Sequence, residues 1–133
     1  MTLPRKLLLV EDQADVRRVF VFMLEKLGYE VHESSSGSAA LAMFPEVQPL
    51  AAVVDVRLPD MNGVEVIRRI RHLESEQSVN PGQPVVAVAL TGSDDERQRE
   101  NALAAGFDFY FVKPVDMKQV NAAIQSAVDR QAD

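Results

Sequence analysis

The sequence predicts an α/β fold, a parallel sheet with helices on both faces. Four apolar runs stop abruptly at polar or turn-forming residues. Lys6-Leu7-Leu8-Leu9-Val10 meets Glu11-Asp12, and Leu50-Ala51-Ala52-Val53-Val54 meets Asp55. Val85-Val86-Ala87-Val88-Ala89-Leu90 meets Thr91, and Phe109-Tyr110-Phe111-Val112 meets Lys113-Pro114. Short continuous apolar runs bounded by turn signals fit strands buried on both faces. Stretches with helical period separate them, and a strict alternation of strand and helix implies parallel strands joined by crossovers.

The elements follow in order. After the first strand, Val16, Val19, Phe20, Met23, Leu24 and Leu27 share one helical face, and Gly28 stands at the C′ position of that helix. Tyr29 to Glu33 alternates, as a short half-exposed edge strand does. Ser34-Ser35-Ser36-Gly37 offers caps for a second helix, Ala39 to Phe44, stopped near Pro45. The Asp55 strand comes next. Asn62 caps a third helix from about Val64 to Leu73, burying Val66 or Ile67, Ile70 and Leu73. Residues 74–84 lack an apolar period and read as a long surface loop. Ser93 with Glu96 matches a capping box for a fourth helix ending at Gly106, weakly anchored by Ala102, Leu103 and Ala105. Asp116 caps the last helix, with Met117, Val120, Ile124, Ala127 and Val128 on one face.

A chain of 133 residues suits a single domain, here 1–133, able to bury about two thirds of its unfolded surface. The net charge of −6 argues against direct nucleic-acid binding, which needs a basic patch for the phosphates. Cysteine is absent, which excludes disulfides, thiolate catalysis and zinc–sulfur sites. No apolar stretch approaches the roughly 20 residues of a membrane span, and the N-terminus lacks the apolar segment of a signal peptide. A cytoplasmic domain is the expectation.

In a parallel sheet all these strands end at one edge, where open α/β folds build their sites. Taken singly, Glu11, Asp12 and Asp55 are ordinary turn acids, Thr91 a cap and Lys113 an exposed lysine. Together they crowd three carboxylates, a hydroxyl and an ammonium. Like charges a few ångströms apart raise one another's pKa, so the three acids require neutralisation. A divalent cation together with Lys113 balances them, and an all-oxygen set favours Mg²⁺ over zinc or copper. Such a site suits phosphoryl transfer, which asks for placement and charge neutralisation. A carboxylate there can attack and form an aspartyl phosphate. Neither Gly-x-x-x-x-Gly-Lys nor Gly-x-Gly-x-x-Gly is present, so nucleotide binding has no support.

From Leu7 to about Val128 the chain resembles the receiver domains of two-component response regulators, the chemotaxis-regulator type among them. The resemblance rests on Glu11-Asp12, on Asp55 in Val-Asp-Val-Arg-Leu-Pro-Asp-Met-Asn-Gly, on Thr91-Gly92 and on Lys113-Pro114. It implies a flavodoxin-like (βα)5 three-layer sandwich with strand order 2-1-3-4-5. It implies further that Asp55 is the phosphoacceptor. Glu11, Asp12 and Asp55 would hold Mg²⁺ together with the backbone carbonyl of Arg57. Thr91 and Lys113 would contact the phosphoryl group, Tyr110 would be the switch aromatic, and the Lys113-Pro114 bond would be cis. Arg57 stands where the family often carries Met, and its guanidinium could reach the phosphoryl group, shield it from water, or simply be solvated. His32 and His72 read as surface residues, not phosphodonors.

The resemblance implies a non-enzymatic signalling domain that takes a phosphoryl group from a histidine kinase or histidine phosphotransfer protein. Its output face would be the fourth helix, fifth strand and fifth helix, open to a downstream protein, a linked effector or a second copy in a homodimer. The chain reads as a stand-alone regulator or as a receiver cut from a larger protein such as a hybrid kinase. Two alternatives stand beside this. A degenerate receiver that only binds partners is opposed by the full set Asp12, Asp55, Thr91 and Lys113. A haloacid-dehalogenase-type phosphatase is opposed by Arg57, where that family carries a second Asp as general acid.

Overall fold

In the computed structural model, which describes residues 5–77 and 83–132, five strands alternate with five helices. The strands are β1 (Arg5–Val10), β2 (Tyr29–Ser34), β3 (Ala51–Asp55), β4 (Val86–Thr91) and β5 (Phe109–Val112). All pairings are parallel and the sheet order is β2-β1-β3-β4-β5, the flavodoxin-like arrangement. The helices are α1 (Ala14–Lys26), α2 (Gly37–Val47), α3 (Gly63–Gln77), α4 (Glu96–Ala105) and α5 (Met117–Ala132).

The continuous apolar strands are explained by two cores, one on each sheet face. Leu8, Val10, Ala52, Val54, Ala87 and Ala89 face α2, α3 and α4, packing on Phe44, Val66, Ile67, Ile70 and Ala102. Leu7, Leu9, Val53, Val88 and Leu90 face α1 and α5, packing on Phe20, Leu24, Met117, Val120 and Ile124. Successive strand residues thus serve opposite layers, as the period of two demands. Burying each large aliphatic side chain contributes about 1.5–3 kcal/mol.

Several elements depart from the sequence expectation. On α1, Val19 is 54% exposed and Phe22 61% exposed, so the apolar stripe is narrower than its spacing suggests. Gly28 follows that helix with a φ of 101°, as a C′ residue does. Helix α2 does not stop at Pro45 but continues to Val47, where Gln48 in the left-handed region closes it by donating to Phe44 O at 3.0 Å. Pro45 removes one helical hydrogen bond, and the helix ends two residues later, with Ala40 and Phe44 of the preceding turns buried.

Both Val66 and Ile67 are buried on α3, and that helix runs four residues beyond Leu73. Tertiary bonds extend it. Glu74 accepts from the Val85 amide at 2.7 Å and from Arg71 Nη1 at 2.9 Å. Arg71 also donates to Val85 O at 2.8 Å and, from Nε and Nη2, to Gly106 O at 3.0 and 2.8 Å. The expected loop therefore begins later than Glu74, and its centre, 78–82, lies outside the described residues.

Helix α4 is capped by Asp95, whose side chain accepts from the Arg97 amide at 2.8 Å, rather than by Ser93. Ser93 instead accepts from the Asp95 amide at 3.2 Å, one turn earlier in the loop. Only Ala102 of α4 is fully buried, with Leu103 and Ala105 half-buried. Asp116 does cap α5, accepting from the Lys118 amide at 2.9 Å.

Candidate functional site

The carboxyl ends of β1, β3, β4 and β5 meet at one edge, and each contributes a side chain. Asp55 ends β3, is 5% exposed, and has both carboxylate oxygens occupied. Oδ1 accepts from the Arg57 amide at 2.9 Å and Oδ2 accepts from Lys113 Nζ at 2.7 Å. Glu11, which follows β1 and is 1% exposed, accepts from Lys113 Nζ at 3.3 Å and from the Gln13 amide at 3.1 Å. Asp12 beside it is exposed. One carboxylate oxygen from each of Glu11, Asp12 and Asp55 lies within 4.8 Å of the others. The three acids and the lysine are thus brought together as the strand ends require.

The electrostatics are those of charges held at the rim of an apolar sheet. Burial pushes the Glu11 carboxyl above its ordinary range, the Gln13 amide pulls it back, and the negative charge of Asp55 adds to the rise. For Lys113, burial works against the charged form. The hydrogen bond and charge of Asp55, then those of Glu11, override it and hold the ammonium above the usual lysine value. Hard oxygen donors converging with an unbalanced negative charge fit Mg²⁺, not a soft metal.

Thr91 ends β4, 4% exposed, with Oγ1 accepting from the Ser93 amide at 3.1 Å. Its carbonyl accepts from the Lys113 amide at 2.7 Å, tying the ends of β4 and β5 together. Tyr110 on β5 is half-buried, and its hydroxyl donates to Ser93 O at 3.0 Å. The Lys113-Pro114 bond is cis. Asp12, Gln13, Asp55, Arg57, Gly92, Ser93 and Lys113 line an open cavity of about 440 Å³. Arg57 is exposed and lines it together with a second groove between α3 and α4. His32 pairs with Glu30 at 2.8 Å and His72 with Glu76 at 3.2 Å, both away from the cavity lining.

Two residues at this edge escaped sequence reasoning. Arg17 on α1 donates from Nη1 to Glu11 O at 2.8 Å and to Asp12 O at 3.4 Å, bracing the acidic turn, while its Nε bonds Glu33 at 3.0 Å. Its one signal was a basic residue five positions beyond an acidic pair. Asp60 reaches from the loop after Asp55 to the start of α2, accepting from the Gly37 amide at 2.9 Å and the Ser38 amide at 2.8 Å. Those two amides, Ser38 foremost, lower its pKa from 3.8 to about 2. A depressed carboxylate adds stability that is present above 3.8 and is lost as pH falls through about 2. In acid titrations followed by circular dichroism, Asp60→Asn is expected to lose stability less steeply between those values than the wild type. Parallel acid limbs would contradict the two hydrogen bonds.

A protein-family model described as the response regulator receiver domain matches residues 7–125. The chain is 35% identical over 125 residues to a probable transcriptional regulator, ycf27, of Porphyra purpurea, covering 94% of this chain and 48% of that protein. It spans about half the length, or less, of the transcriptional regulators it matches. A CheY-like receiver domain protein from Methanospirillum hungatei superposes with a TM-score of 0.84 at 27% identity, covering 98% of each chain. The receiver domain of the Pseudomonas aeruginosa sensor histidine kinase PA1611, described with a magnesium ion coordinated in its active-site cleft, superposes with a TM-score of 0.80. Identity there is 30%, over 96% of this chain and 99% of that one. A family match running from the first strand into the last helix, on a sheet of the same strand order, is decisive: the chain belongs to the response regulator receiver domains of two-component signal transduction.

Proposed function

We propose that Asp55 accepts a phosphoryl group in a two-component phosphorelay, from a histidine kinase or a histidine phosphotransfer protein. The observation that carries this reading is the setting of Asp55: buried at a strand end, 2.7 Å from an ammonium and clustered with two further carboxylates. A carboxylate oxygen of Asp55 attacks phosphorus and forms a P–O bond. The P–N bond of the donor phosphohistidine breaks, and its electron pair leaves with the imidazole nitrogen. Glu11, Asp12 and Asp55, with the Arg57 carbonyl, would hold Mg²⁺, which when bound supplies charge neutralisation for the phosphoryl oxygens. Lys113 needs only to turn its ammonium from Asp55 toward the incoming oxygens, and the Thr91 hydroxyl donates to another. The exposed Val19 and Phe22 stand on the helix that starts just after Asp12, an apolar footing for a protein donor.

Readout passes through Thr91 and Tyr110. Drawing the Thr91 hydroxyl to the phosphoryl group gives up its bond from the Ser93 amide, and the Tyr110 hydroxyl is tied to the same residue. The face of α4, β5 and α5 then signals to a downstream protein, a linked effector or a second copy. Shallow burial of α4 lets it shift at small cost. None of the helices among the described residues is long and apolar enough to cross a membrane.

Incubation with acetyl phosphate and Mg²⁺ is expected to add one phosphoryl group per chain, stable to acid and labile to hydroxylamine. Intact-mass spectra before and after hydroxylamine read the result. A phosphoryl group that survives hydroxylamine, or none at all, would overturn the assignment.

A further inference from the structure

The loop from Val56 to Asn62 carries Arg57, whose amide meets Asp55 Oδ1. Its neck closes on itself: the Gly63 amide donates to Val56 O at 2.7 Å, and Arg57 pairs with Asn62 in an isolated antiparallel bridge. The neck is tight because Gly63 lacks a Cβ, which would lie 2.6 Å from Asp55 O and 2.9 Å from Val56 Cα. The loop's tip, Leu58 to Met61, lies beyond that pairing. What secures the tip is α2. Asp60 uses both carboxylate oxygens there, on two of the amides that a first helical turn leaves without helical partners. Its charge also suits the positive end of the helix. Met61 packs beside it so closely that a Cβ on Gly37 would come 2.5 Å from Met61 Cγ. The end of β2, which leads into α2, is itself tied to the site, because Ser34 O accepts from the Glu11 amide at 3.0 Å.

We propose that Asp60 is a positioning residue of the phosphoacceptor site: its two-oxygen grip on the start of α2 holds the β3–α3 loop in the shape that aims the Arg57 amide at Asp55 Oδ1. This rests on reading Asp55 as the acceptor. Without the grip the tip swings free, the neck frays, and the Asp55 carboxylate loses the bond that fixes its rotation. The oxygen facing Lys113 is then no longer held for in-line attack. Asp60 is exposed, so replacing it removes no core packing.

The test compares Asp60→Ala and Asp60→Asn with Ser36→Ala in the full chain. Ser36 is the other cap of α2, accepting from the Ala39 amide at 3.2 Å, and its side-chain hydrogen bonds stay within the start of that helix. Asp60→Ala is expected to slow phosphorylation by acetyl phosphate roughly tenfold at saturating Mg²⁺, since small misplacements of reacting groups carry large rate penalties. In metal-free protein the hydrogen exchange of the Arg57 and Gly63 amides should accelerate by a similar factor, roughly tenfold. Asp60→Asn, with one acceptor oxygen left, should fall between, and it carries the test if Asp60→Ala folds poorly. Ser36→Ala should change neither readout. Unchanged exchange at Arg57 and Gly63, an unchanged rate, or equal slowing by Ser36→Ala would each overturn the proposal. A wild type that takes no phosphoryl group would refute the acceptor reading instead, and the exchange measurement would still decide whether Asp60 shapes the loop.

Discussion

Asp55→Asn is expected to take up no phosphoryl group from acetyl phosphate and Mg²⁺, while its unfolding free energy stays within about 1 kcal/mol of wild type. An amide is no nucleophile toward phosphorus, so the chemical loss is complete. Stability changes little because two effects oppose. The amide nitrogen forfeits the charged bond that Asp55 Oδ2 makes to Lys113 at 2.7 Å. Against this, the change removes the repulsion between Asp55 and Glu11, which pushes the Glu11 carboxyl upward. The remaining amide oxygen still accepts from the Arg57 amide, and Lys113 keeps Glu11. Intact mass and urea melts read the two halves separately. A variant still phosphorylated to wild-type stoichiometry would place the acceptor elsewhere. One that fails to fold would show that the Asp55–Lys113 pair holds the fold together.

Lys113→Met keeps an unbranched stem of similar reach and removes the ammonium. Glu11 and Asp55, 1% and 5% exposed, are left facing each other without their shared ammonium. Removing one partner of a buried charged hydrogen bond costs about 1–3 kcal/mol, and that loss is expected in metal-free protein. Lys113 keeps 32% of its side chain exposed, so water reaching the acids sets the result toward the lower figure. Mg²⁺ should then bind more tightly than in the wild type, because no ammonium occupies the same carboxylates. At 100-fold over its dissociation constant, a ligand adds about 2.7 kcal/mol of stability, enough to restore the variant. Urea melts with chelator and with Mg²⁺ decide this. Equal metal-free stabilities would contradict the ion-pair geometry, and unchanged Mg²⁺ affinity would contradict a shared site.

What the sequence made legible is what one residue's own chemistry announces. The apolar runs of β1, β3 and β4, short and bounded by turn residues, read as buried strands, and their abrupt ends put Glu11, Asp12, Asp55 and Thr91 at one edge. The misreadings lie where a partner far along the chain decides. Glu74 is polar and without apolar period, yet it is helical because Arg71 and the Val85 amide hold it. Pro45 should end α2, but the helix, anchored by the buried Phe44, runs two residues past it. Val19 falls on the apolar face by spacing alone, yet it is left 54% exposed. Asp60 and Arg17 stayed hidden for a related reason. At this edge they act on backbone amides and carbonyls, and a main-chain group leaves no residue type to read.

The hold of Arg71 on Gly106 O gives α4 a fulcrum. Its C-terminal end is fastened by two guanidinium bonds, while its N-terminal end rests on its own Asp95 cap and the loop through Ser93. In any motion of α4 that fastened end is the pivot. Ten residues at 1.5 Å each make an arm of about 15 Å, so a tilt of about 10° carries the Glu96 end by roughly 2.6 Å and leaves Gly106 where it was. Displacement entering at Ser93 therefore fades linearly along the arm. A binding partner that reads the motion gains most by resting on the exposed Arg97 and Gln98, at the travelling tip, and nothing by gripping the pivot.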